Sequence, residues 1–204
     1  MSNQKEVLKR IIRSYATEYK NAVDKEWSEA VQALQPGETA PLKNGIHKAE
    51  NRIRFDDVCS GINKKIAEVV SSDLATLEKQ LATAPTSEAV NALMLFKMRS
   101  PKSVTQNDIL RLLETYANSP QTFDTIKDIA SEKGYRVAGS SIPAGKIDAI
   151  RSMQEFLAKN INRQAAEERQ TVNDRWLDLM CQAVDEAFPD TETAPTIIVA
   201  KAED

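Results

Sequence analysis

Three long stretches of this chain place apolar residues at every third or fourth position, which is the spacing of one face of an α-helix. The stretches lie near residues 3–34, 46–82 and 146–188 of the 204. In the first, the stripe continues without a break through Leu8, Ile12, Tyr15, Tyr19, Val23, Trp27, Val31 and Leu34. At about 1.5 Å per residue this face is roughly 45 Å long. The pattern predicts three long helices.

A linker and a compact region separate the predicted helices. Residues 35–45 hold two prolines and two glycines, so the first two helices are expected to form an antiparallel hairpin. Residues 86–138 carry three shorter helical patterns divided by prolines, and Ser103 with Gln106 matches a capping box before the second of them. The fold class predicted is all-α: an elongated bundle of three long helices with a small three-helix module inserted.

The division of the chain follows from these breaks. We expect an N-terminal helical hairpin over 1–84, a small helical module over 85–138, and a long C-terminal helix over 139–188 that packs on the hairpin. Residues 189–204 form an acidic and flexible tail in this interpretation. The β-prone segment Thr196–Val199 interrupts the tail, and three outcomes stay open for it. It adds a strand to a partner's sheet, pairs with Tyr135–Ala138, or stays disordered.

Residues suited to catalysis are scarce. The chain has one histidine (His47), two distant cysteines (Cys59 and Cys181) and six glycines. Histidine is the usual proton shuttle and a common metal ligand, and glycine lets backbone approach phosphate. The loop Gly139–Lys146 fails as a phosphate loop, because its glycine spacing is one residue too long and no hydroxyl residue follows the lysine. We therefore expect no enzyme activity, no catalytic residue, no metal site and no cofactor.

Hydropathy and cysteine use indicate the compartment. No run of 18 apolar residues is present, and the first residues lack the apolar core of a signal peptide. The two cysteines lie too far apart in the sequence for a metal-binding motif and do not suggest a disulfide framework. The chain is therefore expected to be a cytoplasmic protein with no membrane contact.

One basic cluster stands out from a chain whose net charge is −3. Residues 43–54 carry four cations, Lys43, Lys48, Arg52 and Arg54, against Glu50 alone. This candidate interaction patch suits phosphate, an acidic partner or the chain's own acidic tail. The alternative is an ordinary solvated helix start, because surface charge clusters often contribute little to binding or stability.

The region 105–136 has some features of a helix-turn-helix. Ala130 and Gly134 have the spacing of the first helix and turn, but the glycines and proline of 139–145 exclude a recognition helix directly after them. Residues 121–134 are the other candidate for a groove-entering helix. The cations then available for phosphate are Lys127, Lys133 and Arg136. Because residues 102–136 carry five basic and five acidic side chains, a structural three-helix module is the favoured interpretation.

Long charged helices without a chemical site suggest a function in assembly. The leading hypothesis is a non-enzymatic structural, scaffold or adaptor protein that works through helix-mediated protein contacts. Scaffolding and adaptor proteins of viral or phage particles have this general character, although no motif connects them to this chain. The wide stripes are expected to leave apolar surface for self-association or for another protein. The alternative is a nucleic-acid-associated regulator that uses the 105–136 module.

Overall fold

The computed structural model describes residues 2–39, 52–166, 173–189 and 197–202. Within these ranges the chain is mostly helical, which confirms the predicted all-α class. The helices are α1 (Ser2–Gln32), α2 (Arg52–Leu81), α3 (Ser87–Lys97), α4 (Gln106–Tyr116), α5 (Pro120–Glu132), α6 (Ile142–Ala166) and α7 (Asp174–Ala187), with a 3-10 turn at Pro101–Ser103. Two short strands, β1 (Tyr135–Ala138) and β2 (Ile198–Lys201), complete the described elements. The packing of the long helices as an elongated bundle stays a prediction.

The prediction of one continuous helix over 146–188 is wrong. Helix α6 ends at Ala166, and α7 begins only after Asn173, whose backbone is extended with φ −82° and ψ 133°. The Asn173 side chain accepts a hydrogen bond from the amide of Arg175 at 2.9 Å and so caps α7. The sequence from Asn162 to Thr171 is polar, and it offers no apolar face by which packing could stabilise a continuous helix.

The chain divides into two compact units. The first unit comprises Met1–Ser71 and Arg151–Asp190, and the second comprises Ser72–Ile150 and Thr191–Asp204. The boundaries between the units fall inside α2 and α6. The four sequence segments proposed above stay a prediction.

Tyr15 lies at the centre of the first unit. Its side chain is fully buried in the middle of the α1 stripe, between the buried Ile12 and Tyr19. The Tyr15 hydroxyl donates to the carbonyl of Ile161 in α6 at 3.4 Å and lies 3.6 Å from the Cys59 sulfur in α2. Its ring centroid is 5.9 Å from that of Trp176 in α7. Burial raises the pKa of Tyr15 far above its usual value, so the hydroxyl stays protonated. One side chain thus contacts three other helical segments.

Asp185 connects α7 to α1 at the edge of the first unit. Its Oδ1 lies 2.8 Å from the ammonium of Lys5 and 2.7 Å from that of Lys9. Hydrogen bonds from the two lysines hold the pKa of Asp185 below its usual value. Lys5 is only 8% exposed, so this carboxylate lies beside a cation that is largely removed from water.

We expect Asp185→Asn to lower the free energy of unfolding by about 1 kcal/mol at pH 7, the upper range for a partly exposed ion pair. Because the folded pKa of Asp185 is depressed, its contribution is present above the unfolded pKa of about 3.9 and is lost as pH falls through the folded pKa. Urea unfolding at pH 7 and pH 3 measures the free energy of unfolding of the wild type and of the variant. The difference between the two free energies should be smaller at pH 3. Asp178→Asn, an exposed position on the same helix, is the control, and equal effects of the two substitutions would refute the assignment.

The second unit closes around a strand pair that joins distant parts of the sequence. Strand β1 pairs antiparallel with β2, with Val137 opposite Val199. Both valines belong to the core with α3, α4 and α5, and the Gln106 amide of α4 donates to the carbonyl of Val199 at 2.7 Å. Gly134, at φ +80°, ends α5 in the left-handed region and turns the chain into β1. Of the three outcomes left open for the tail, pairing with Tyr135–Ala138 is therefore the one found. The strand covers 198–201, two residues later than the β-prone segment.

The capping box before α4 differs from the one predicted. Thr105, not Ser103, is the N-cap, and its hydroxyl oxygen accepts from the Asp108 amide at 3.3 Å. In return Asp108 accepts from the Thr105 amide at 2.8 Å, and the hydrogen bonds from Thr105 lower the pKa of Asp108. Ser103 lies in the 3-10 turn, where its hydroxyl donates to the carbonyl of Ser100. The turn moves the start of α4 two residues along the chain.

Candidate functional site: the exposed face of helix α3

Helix α3 is fixed at both ends. Thr86 caps its start by accepting a hydrogen bond from the Ala89 amide at 3.2 Å, and Glu88 complements the positive end of the helix dipole in the first turn. At the other end the Lys133 ammonium donates to the carbonyls of Lys97 at 2.8 Å and Arg99 at 2.6 Å. The helix is therefore held in place on the second unit independently of its outward side chains.

Both faces of α3 are apolar. Ala89, Leu93 and Phe96 point inward and are buried in the second unit. The opposite side presents what we call the α3 apolar face, four large side chains that are between 41 and 84% exposed: Val90, Met94, Leu95 and Met98. Positions 90, 94 and 98 are successive helical turns, and Leu95 lies beside them. Asn91, which is also exposed, lies one turn before Met94 and Leu95 on this side of the helix. Large apolar side chains grouped on a surface often mark a contact site, and within the part of the chain that the structure describes these four stay exposed.

The ends of the α3 apolar face carry opposite charges. Glu88 is exposed at the N-terminal end. At the C-terminal end Arg99 lies over the Phe96 ring, 5.7 Å from its centroid, and its Nη1 is 3.7 Å from Asp108. The neighbouring Lys97 pairs with Glu132 at 3.3 Å. The surface is thus an apolar centre with an acidic end and a basic end.

The predicted basic patch is only partly within the described residues. Lys43 and Lys48 lie outside them, and Arg52 and Arg54 belong to the first turn of α2. The patch therefore stays a prediction.

The predicted nucleic-acid contacts lie on α5, on β1 and between them, within the second unit. Lys127 and Arg136 are exposed there, whereas Lys133 uses its ammonium to cap α3. The exposed face of α5 also presents a carboxylate on each of three successive turns: Asp124, Asp128 and Glu132. This acidic stripe borders Lys127 and repels phosphate, so the geometry does not favour α5 as a groove-entering helix.

The α3 apolar face was not among the predicted sites. Within the apolar run 93–96 only Leu93 and Phe96 are buried, whereas Met94 and Leu95 are exposed. The signal in the sequence was a second set of apolar residues at 90, 94 and 98, which lies on the other side of the helix from the set at 89, 93 and 96. The stripe of α1, by contrast, is buried within the first unit from Leu8 to Val23. The apolar surface expected on the long helices is therefore most evident on a short one.

Reactive groups do not converge in the described part of the chain. Cys59 and Cys181 are buried free thiols, and burial raises the pKa of both. No three His, Cys, Asp or Glu side chains among the described residues form a group that suits a metal ion. A shallow depression on the first unit has Trp176, Leu179 and four other residues of 173–182 as its lining, so its wall comes from one helix and its cap. None of the described helices is long and apolar enough to cross a membrane.

No family model, curated protein or solved structure matches the chain. The function proposed below therefore depends on the chain's own residues.

Proposed function

We propose that this chain is a non-enzymatic structural, scaffold or adaptor protein that works through helix-mediated protein contacts, with the α3 apolar face as its contact surface. The observation that supports the proposal is the exposure of four large apolar side chains on a helix whose opposite face is already buried. A contiguous apolar patch with a polar rim is characteristic of a protein-binding site.

The energetics of the face suit reversible association. Burying a Val, Leu or Met side chain contributes about 1.5–3 kcal/mol relative to leaving it exposed. Part of that gain offsets the lost translational and rotational freedom of the partners. Two of the four side chains are methionines, which adapt their shape to an irregular partner surface. Four such residues therefore support a contact of modest affinity.

The charges around the face favour protein over nucleic acid as the partner. Nucleic-acid binding requires a basic surface that neutralises several phosphates. The α3 face has Glu88 at one end and Lys97 and Arg99 at the other, both of these cations lie beside carboxylates, and the exposed side of α5 is acidic. The proposal includes a cytoplasmic location, which suits two buried thiols that form no disulfide. The proposal includes a viral or phage-type assembly as the setting, by analogy with the general character of scaffolding and adaptor proteins and not from a motif.

Site-specific photo-crosslinking tests the proposal. A photoreactive amino acid is placed at position 94 of the full chain, expressed in the cells that naturally make it. The control has the same group at Thr125, an exposed position on α5. The expected result is a protein adduct from position 94 that is absent from position 125 and is lost when Leu95 is replaced by lysine. Equal adducts at both positions, or none from position 94, would refute the α3 face as the contact surface.

A further inference from the structure

We propose that the partner of the α3 apolar face is a second copy of this chain, with the two α3 helices packed antiparallel about a two-fold axis near Met94. This inference rests on the proposed function, because it names the occupant of the same surface. It follows from the self-complementarity of α3 in charge and in the spacing of its apolar residues.

The charges of α3 match those of its own reversed copy. Glu88 lies in the first turn of α3, and Arg99 lies just beyond the C-cap residue Met98, so the two charges stand at opposite ends of the α3 apolar face. A two-fold axis perpendicular to an antiparallel pair sets the acidic end of each copy beside the basic end of the other. Glu88 of each copy then faces Arg99 of the other. A parallel pair would instead oppose like charges and align the two helix dipoles.

The apolar residues have the same symmetry. Val90 and Met98 are each four positions from Met94. In an antiparallel pair centred on Met94, Val90 packs against Met98 of the second copy, and Met94 packs against its own equivalent. Leu95 fills the space on the flank of Glu88, since it lies one position beyond Met94 around the helix. The same register thus satisfies both the apolar centre and the charged ends.

The size of the α3 apolar face determines the affinity expected for the dimer. Helix α3 has 11 residues and is about 16 Å long at 1.5 Å per residue. Two helices of this length bury less than the ~1,200–2,000 Å² typical of stable interfaces. The dimer is therefore expected to be reversible and to depend on concentration.

Disulfide trapping with purified protein tests the two-fold axis. Both native cysteines are buried, so they contribute little background. Met94→Cys brings two identical thiols together at the axis, and mild oxidation is expected to give a covalent dimer of about 45 kDa, twice the 22.7 kDa of one chain. Thr125→Cys is the exposed control and should stay largely monomeric. Equal dimer yields from the two variants, or no dimer from Met94→Cys, would overturn the inference.

A charge exchange tests the antiparallel register. Glu88→Arg and Arg99→Glu each place like charges at both ends of the pair, and each is expected to raise the dimer dissociation constant about tenfold. The double variant again places opposite charges at positions 88 and 99 of the two copies, with the signs exchanged. It should recover most of the wild-type affinity. Thermal unfolding of each variant controls for folding, because Arg99 also contacts Phe96 and lies near Asp108. Folded single variants with wild-type affinity, or no recovery in the double variant, would contradict the register.

Failure of the second copy as the partner can be distinguished from failure of the α3 apolar face as the contact surface. An adduct to a different protein from position 94 in cells, with no disulfide dimer from purified Met94→Cys, would overturn the second copy as partner and leave the contact surface intact. No adduct and no disulfide dimer would overturn both proposals.

Discussion

Replacing Tyr15 with alanine is expected to lower the free energy of unfolding of the first unit by about 3–5 kcal/mol. The Tyr15 ring is fully buried in α1 and contacts Tyr19 and Trp176, while its hydroxyl bonds to Ile161. Alanine leaves a cavity where α1, α2, α6 and α7 meet and removes the hydrogen bond. Since domains are stable by only about 5–15 kcal/mol, the variant should be close to unfolding.

Tryptophan fluorescence during urea unfolding measures this effect, because Trp27 and Trp176 both belong to the first unit. Tyr15→Phe is the matched control, since it keeps the ring and removes only the hydroxyl. Its expected cost is about 1 kcal/mol, the usual net contribution of one hydrogen bond. A loss below about 1 kcal/mol for Tyr15→Ala would show that Tyr15 is not the centre of the unit.

Val199→Asp is expected to destabilise the second unit by about 3 kcal/mol or more, because it places a carboxylate in an apolar core. Val199 is 4% exposed and lies opposite Val137 in the strand pair. The expected consequence is loss of the β1–β2 pairing and of amide protection in both strands.

Hydrogen exchange of the full chain measures that loss residue by residue. Ile198→Asp is the control, since it makes the same substitution at the adjacent position of β2, where the side chain is 58% exposed. A surface change of this kind usually alters stability by no more than about 0.5 kcal/mol. Similar protection in the two variants would mean that β2 is not part of the core.

Local sequence pattern could predict the helices that bury one continuous apolar stripe. The α1 stripe predicted a helix over 3–34, and α1 covers Ser2–Gln32, because every third or fourth side chain is buried and Pro36 and Gly37 follow. The same reasoning failed near Asn173. Periodicity on both sides of that residue was joined across a polar segment, and the capping function of an asparagine before Asp174 was overlooked.

Other features depend on contacts that no local pattern encodes. The pairing of Val137 with Val199 joins residues 62 positions apart, so the sequence left it as one of three alternatives for the tail. The candidate site was missed for a different reason. The composition of α3 shows that the helix is rich in apolar residues but not which of them are buried. The structure shows that Ala89, Leu93 and Phe96 are buried, and the apolar residues on the opposite side are therefore exposed.

The most direct test of self-association through the α3 apolar face is the solution mass of the purified chain by light scattering over a range of concentrations. The expected result is a mass that rises from 22.7 kDa toward about twice that value in the wild type and in a Thr125→Lys control. Met94→Lys, which places a charge at the centre of the face, should stay monomeric throughout. A wild type that is monomeric at every concentration, or a Met94→Lys variant that associates as strongly as the wild type, would contradict the account.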